Sequence, residues 1–313
     1  MHIVEFYAMN TSTIFAFLLS LFLGFSFSQF HMFASGPKIL IVTAHPDDET
    51  AFAATIYKVT HDLNGLADIL LVTNGEGGYK YSTLAEDIYG RELTDEQSGR
   101  KALPTIRKKE LMAGGEYIGL RDYFFMDQQD TGYTLDADSV LNIVWDTSIV
   151  IRKIKELHGR NNYDYVFTLL PVSGTHGHHK AASILALRAV KSIASEARPI
   201  IVGCSVTDST KLIPDPFLGL PGFPETAMNT QLPIGYFNRL TPFGFQQKLN
   251  YQVIVNWLIA EHKSQGAMQL AMGKGQFEQF WDYAINGNAG KQKILKLAEL
   301  LRNAPLKEYQ PNK

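Results

Sequence analysis

Beyond Pro37 the chain alternates between short, continuously apolar runs and longer stretches whose apolar residues recur at helical spacing. "ILIVTA", "ADILLVTNGEGG", "DYFFMD", "YDYVFTLLP" and "PIIVGCSV" read as strands, and runs without polar alternation belong to strands covered on both faces. Between them "ETAFAATIYKVT", "TIRKKELMAGGEYIGL", "ADSVLNIVWDTSIVIRKIKELHG" and "HHKAASILALRAVKSIASEA" carry helical spacing, the third as one long amphipathic helix. The alternation predicts right-handed βαβ units, hence an α/β fold with a mostly parallel sheet and helices on both faces.

Two segments break this rhythm. Residues 79–104 form a polar, tyrosine-bearing insertion after the second strand, which reads as a rim or lid over a site. Residues 212–245, rich in Pro, Gly and Phe, read as irregular structure with one or two short strands at "PIGYFNR". The tail returns to helix in "YQVIVNWLIAEHKSQGAMQLAM" and "KQKILKLAELLRN". No stretch has the composition of a linker, so residues 36–313 read as one domain.

Residues 1–35 stand apart. An uncharged apolar stretch runs from Ile14 to Phe27, shorter than the roughly twenty residues of a membrane-spanning helix and suited to the core of a signal peptide. The expected location is therefore exported, periplasmic or secreted, or membrane-anchored if the leader is retained. Membrane association is expected only through this N-terminus. The 313 residues are 45% hydrophobic with a formal charge of −2 and no basic cluster, which argues against nucleic acid as a partner. The single cysteine, Cys204, lies in an apolar strand and reads as a packing residue.

The chemistry gathers where the first strand ends. "AHPDDE" places His45, Asp47, Asp48 and Glu49 within five positions. Proline and acids suit a helix N-terminus by themselves. His45, however, sits at the carboxyl end of a buried strand, where parallel sheets collect ligands. His45 and Asp48, three apart across the turn, can converge on one point. The fourth strand ends in "THGHHK", which brings His176, His178 and His179 to the same edge. Two histidines, one aspartate and an open position suit a catalytic cation, zinc or Fe(II). His61 and His158 read as solvated helix ends.

In this order the elements resemble the PIG-L/LmbE-like family of zinc-dependent N-acetylglucosamine N-deacetylases, from about Ile39 to Gln265. They are "AHPDDE", "VTNGEGG", "IRKKE", "DTGY" at 130–133, the His-x-x-His after the fourth strand and "EHKSQ" at 261–265. The resemblance implies a Rossmann-like fold with the active site at the carboxyl ends of the strands. It implies Zn2+ as cofactor, with Fe2+ as the alternative, held by His45, Asp48 and His179. Asp47 is then the general base towards the zinc-bound water, and His176 polarises the amide. Arg107 and Asp130 are the expected substrate contacts. Glu49 is expected to cap the helix or to orient a ligand. The implied substrate is a small-molecule amino-sugar conjugate or a glycolipid. The chain departs from the family at His176-Gly177-His178-His179, where the family has His-Pro-Asp-His. The aspartate beside His176 is thus missing, Asp127 and Asp130 are the candidates to replace it, and His178 is the alternative to His179 as ligand.

Two rivals remain: a carbohydrate- or lipid-binding protein on the same scaffold, and a metal hydrolase of another amide or ester bond. A dinucleotide enzyme is disfavoured, because "TAHPDDE" stands where the glycine fingerprint belongs.

Overall fold

"KILIVT" forms a strand buried on both faces: Ile39 and Ile41 enter one apolar layer with Phe52 and Ile56, Leu40 and Val42 the other with Ile154 and Ile184. The computed structural model describes residues 36–208 and 214–304. The expected leader or anchor at 1–35 lies outside the described residues. The strands are β1 (Lys38–Thr43), β2 (Leu66–Thr73), β3 (Leu120–Gln128), β4 (Tyr165–Leu169), β5 (Ile200–Thr207), β6 (Gly235–Asn238), β7 (Pro242–Phe243), β8 (Leu249–Asn250) and β9 (Phe277–Asp282). β7 and β8 make a small ribbon; the other seven form one sheet in the order β3-β2-β1-β4-β5-β9-β6.

The first five strands of that order pair in parallel, which confirms the expected α/β class. β1 lies between β2 and β4, so the order reverses between β1 and β4. The loops leaving these two neighbours run to opposite sides and open a crevice at their carboxyl ends. His45 follows β1 there and His176 follows β4. The Gly177–Lys191 helix covers β1 and β4, with Ala181, Ile184, Leu185 and Ala189 buried.

The structure corrects several expectations. β9 was read as neither strand nor helix, and β9 and β6 extend the sheet with antiparallel pairing. The segment read as one helix over 137–159 is broken: Trp145 is extended, and Asp146 caps a new helix, Thr147–Asn161, by accepting from the N–H groups of Ser148 and Ile149. Residues 96–104 belong to the Glu96–Tyr117 helix, which contains Pro104, rather than to an irregular insertion. The stretch 251–272 is helical over Gln252–Glu261 and Gly266–Gln269 but turns sharply in between. His158 is buried, its Nε2 2.8 Å from the Ala197 carbonyl, and His61 stacks on Tyr57. Cys204 is buried in the apolar layer, as expected. Among the described residues no helix is long and apolar enough to cross a membrane.

Candidate metal centre

Asp48 folds back on the end of β1. Its Oδ2 accepts the N–H groups of Ala44 at 3.0 Å and His45 at 2.9 Å, which leaves Oδ1 to face His179 Nε2 at 3.0 Å. His179 sits in the first turn of the Gly177–Lys191 helix, its other ring nitrogen 3.1 Å from Thr175 Oγ1. That contact orients the ring with Nε2 inward. His45 Nδ1 completes the group, 3.0 Å from the same His179 nitrogen. One donor atom from each of His45, Asp48 and His179 thus lies within 4.8 Å of the others.

Burial lowers His45 to about 3, so its ring is neutral and a lone pair is free. Burial works against the Asp48 charge, but His179 and His45 outweigh it and hold this carboxyl well below its usual range. His179 is raised despite burial, because it stands against Asp48. Two imidazoles and an ionised carboxylate facing a cleft fit a divalent cation, and a cation there replaces the proton that His179 shares with Asp48. The structure brings these three expected ligands together.

Asp47 points elsewhere. Its backbone is twisted to φ 121°, a strained conformation for a residue with a side chain, costing about 1–3 kcal/mol. The twist is held from both sides. The Asp47 N–H donates to Glu49 Oε2 at 2.9 Å, and Thr50 Oγ1 donates to the Asp47 carbonyl at 2.7 Å. Glu49 in turn accepts from the buried His262 at 2.5 Å. Glu49 therefore holds the Asp47 backbone rather than one of the candidate ligands. Through His262 the "EHKSQ" turn supports this part of the cleft.

Arg107 is buried, not on a solvated face. It donates to the carbonyls of Pro46 at 2.5 Å and Gly75 at 2.8 Å, and its Nη2 lies 3.1 Å from Asp47 Oδ2. Burial raises Asp47 to about 6, against the opposing pull of Arg107. Were Asp47 to serve as a general base it would work in its charged form, and activity would then fall as pH drops through that value. Removing the guanidinium raises the Asp47 pKa further. Arg107→Gln should therefore move the acid limb of the kcat/KM profile to higher pH, whereas a cation at Asp48 acts in the same direction as Arg107 and lowers it.

His176 caps the Gly177–Lys191 helix, its Nδ1 accepting the His178 N–H at 3.1 Å. Burial lowers it to about 4, so it is neutral. Neither candidate replaces the missing aspartate at this ring. Asp127 is exposed and pairs with Lys108. Asp130 is buried and accepts the Gly132 N–H at 2.9 Å. Its oxygens lie 3.4 Å from His178 Nδ1 and 3.7 Å from His45 Nε2. His178 is itself fully buried, with Nδ1 3.1 Å from His45 Nε2 and Nε2 3.2 Å from Thr131 Oγ1.

His45, Asp47, Asp48, His176 and His179 line a cleft of about 430 Å³, a volume suited to a small polar ligand. Arg107, Asp130 and Gln265 also line it, as do Tyr81 and Tyr133. Of the three tyrosines within residues 79–104, only Tyr81 reaches the cleft. Tyr79 is buried under Arg100, and the Tyr89 hydroxyl donates to Glu110 at 2.7 Å. Glu110 also accepts from the N–H and hydroxyl of Ser264, which fastens the rim to the "EHKSQ" turn.

Residues 40–190 match the family described as GlcNAc-PI de-N-acetylase, PIG-L. A probable N-acetyl-alpha-D-glucosaminyl L-malate deacetylase 2 of Bacillus cereus is 25% identical over 245 residues, covering 78% of this chain and 97% of that protein. Among solved structures, N,N'-diacetylchitobiose deacetylase from Pyrococcus horikoshii matches with a TM-score of 0.43 and 18% identity, over 88% of this chain and 93% of that one. GalB, a 4-carboxy-2-hydroxymuconate hydratase from Pseudomonas putida, matches with a TM-score of 0.45 and 13% identity, over 78% and 95%. The turn after β1 and the histidines after β4 both fall inside residues 40–190, the span of this chain that is similar to the PIG-L family.

Proposed function

We propose that the chain is a metal-dependent hydrolase that removes the acetyl group from an N-acetylated amino sugar or a conjugate of one. The observation that carries this reading is the convergence of His45, Asp48 and His179 beside a separate, partly neutralised carboxylate, Asp47, in one cleft. The family match and the Bacillus relative support the substrate class.

His45, Asp48 and His179 would hold zinc, or Fe2+ in its place. A cation there acts as a Lewis acid that polarises the acetyl carbonyl and acidifies water. Asp47, as carboxylate, takes a proton from a water in the cleft while that water's oxygen adds to the carbonyl carbon. His176 accepts a hydrogen bond at Nδ1, so its neutral ring carries the proton on Nε2 and can donate to the developing oxyanion. Collapse breaks the C–N bond, and Asp47 returns its proton to the leaving amine. Acetate and the free amino sugar result. Arg107 holds Asp47 and the Pro46 carbonyl, so its part is to position the base. The apolar stretch from Ile14 to Phe27 supports an exported or anchored location.

A second reading, a non-catalytic binder of amino-sugar conjugates, draws on the engagement of Asp130 with His178 and His45 instead of His176. Acetate release from a panel of N-acetylglucosamine conjugates separates the two. Protein stripped with a chelator should release none, and zinc should restore release. Bound zinc with no release from any conjugate would support the binder.

A further inference from the structure

His45 presents donors on both sides of its ring. Its Nδ1 faces His179, and its Nε2 faces His178 Nδ1 at 3.1 Å and Asp130 Oδ2 at 3.7 Å. The His176 ring closes the second side, with its centroid 4.7 Å from His178 and 5.0 Å from His45. Donor atoms of His45, His176 and His178 all lie within 4.8 Å of one another. They form a group distinct from His45, Asp48 and His179 except for the shared ring.

Among the described residues the Asp130 carboxylate forms no ion pair with a Lys or Arg side chain. The Asp130 side chain is only 5% exposed. Its carboxylate meets the Gly132 N–H and two imidazoles, while Arg100 reaches only its main-chain oxygen. A buried carboxylate ordinarily has a cationic side chain or a metal for partner. Three imidazoles and one carboxylate are a donor set suited to zinc or copper(II).

We propose that the chain binds a second divalent cation through His45 Nε2, His178 Nδ1, His176 Nε2 and Asp130, so that the His45 ring bridges two cation positions. The proposal rests on the reading of His45, Asp48 and His179 as the first position. A ring that ligates through both nitrogens keeps no N–H, so the second cation displaces the His45 proton to solvent. His176 ligates through Nε2 only when its own proton moves to Nδ1 and the His178 N–H contact is given up. Both costs make the second cation bind more weakly than the first. His178 is central to this position. It stands where the resembled family has aspartate, so the second position arises from this chain's own departure. Occupation also takes His176 Nε2 away from the oxyanion, so excess zinc should inhibit what the first equivalent activates.

The test is zinc stoichiometry of the full chain, stripped with a chelator and titrated with zinc chloride, by calorimetry and by elemental analysis after desalting. Circular dichroism checks that each variant is folded. The parent should bind two equivalents, and His178→Gln and Asp130→Asn should each lose the weaker one. Asp48→Asn should lose the tighter one and keep the other. One equivalent in the parent and none in Asp48→Asn would overturn the second position while leaving the deacetylase reading intact. Two equivalents that survive in both His178→Gln and Asp130→Asn would also overturn it. One equivalent that survives in Asp48→Asn but not in His178→Gln would overturn the bridged pair, because the first position on which it rests would then be absent.

Discussion

Asp47→Asn should lower acetate release by about 10²–10⁴-fold, the usual contribution of a positioned general base, with zinc content unchanged. The substitution is close to isosteric. Its amide oxygen can still accept from Arg107, its N–H still meets Glu49, and asparagine tolerates the positive φ about as well as aspartate. Only the ability to take a proton is lost, so the residual rate should also lose its acid limb. Asp48→Asn separates the two acids of the turn: there the zinc content should fall, because Asp48 faces His179 and Asp47 does not. Paired kinetics and metal analysis of the two variants check the assignment. Equal loss of zinc in both would mean that Asp47 is a ligand, and the division of labour between the adjacent acids would be withdrawn.

That the two acids point apart was legible from adjacency, since neighbouring residues of a tight turn face different ways. What adjacency did not reveal is the device that enforces it. The Asp47 twist depends on Glu49 and His262, which are far apart in the chain and meet only because the Gln252–Glu261 helix stops before His262. The five parallel strands were equally legible, because continuous apolar runs of β-branched residues have few other uses. β9 was missed for the opposite reason: Glu278, Gln279 and Asp282 are all buried in it, satisfied by partners distant in sequence. Hydrophobic periodicity cannot register a strand whose polar residues are neutralised by the fold itself. The same holds for the setting of Arg107: beside Lys108 and Lys109 nothing in the sequence shows that it is buried among carbonyls. His158 misled in the same way, since its carbonyl partner comes from another turn.

The largest expected loss of stability lies at that overlooked strand. Glu278 is fully buried, accepting the N–H groups of Ala54 at 3.0 Å and Thr55 at 2.8 Å, and the Arg239 Nε at 2.9 Å. It thereby caps the helix that follows the "HPDDE" turn, where the first N–H groups have no partner of their own. Arg239 donates onward to the Thr50 carbonyl at 2.5 Å. The pair thus fastens the antiparallel edge of the sheet to the segment carrying the candidate ligands. Glu278→Ala leaves a buried guanidinium and two N–H groups without their acceptor, and should cost about 3–5 kcal/mol in urea-unfolding experiments. Arg239→Leu should cost less, because the Glu278 carboxylate keeps both N–H donors. The double variant Glu278→Ala with Arg239→Leu should be milder than the sum of these two single ones, since no charge is then left unpaired. Equal and additive losses would show that the two side chains act as separate packing residues. The chain would then depend on the pair for volume rather than for charge, and the helix start beneath Asp47 and Asp48 would be held by its apolar contacts alone.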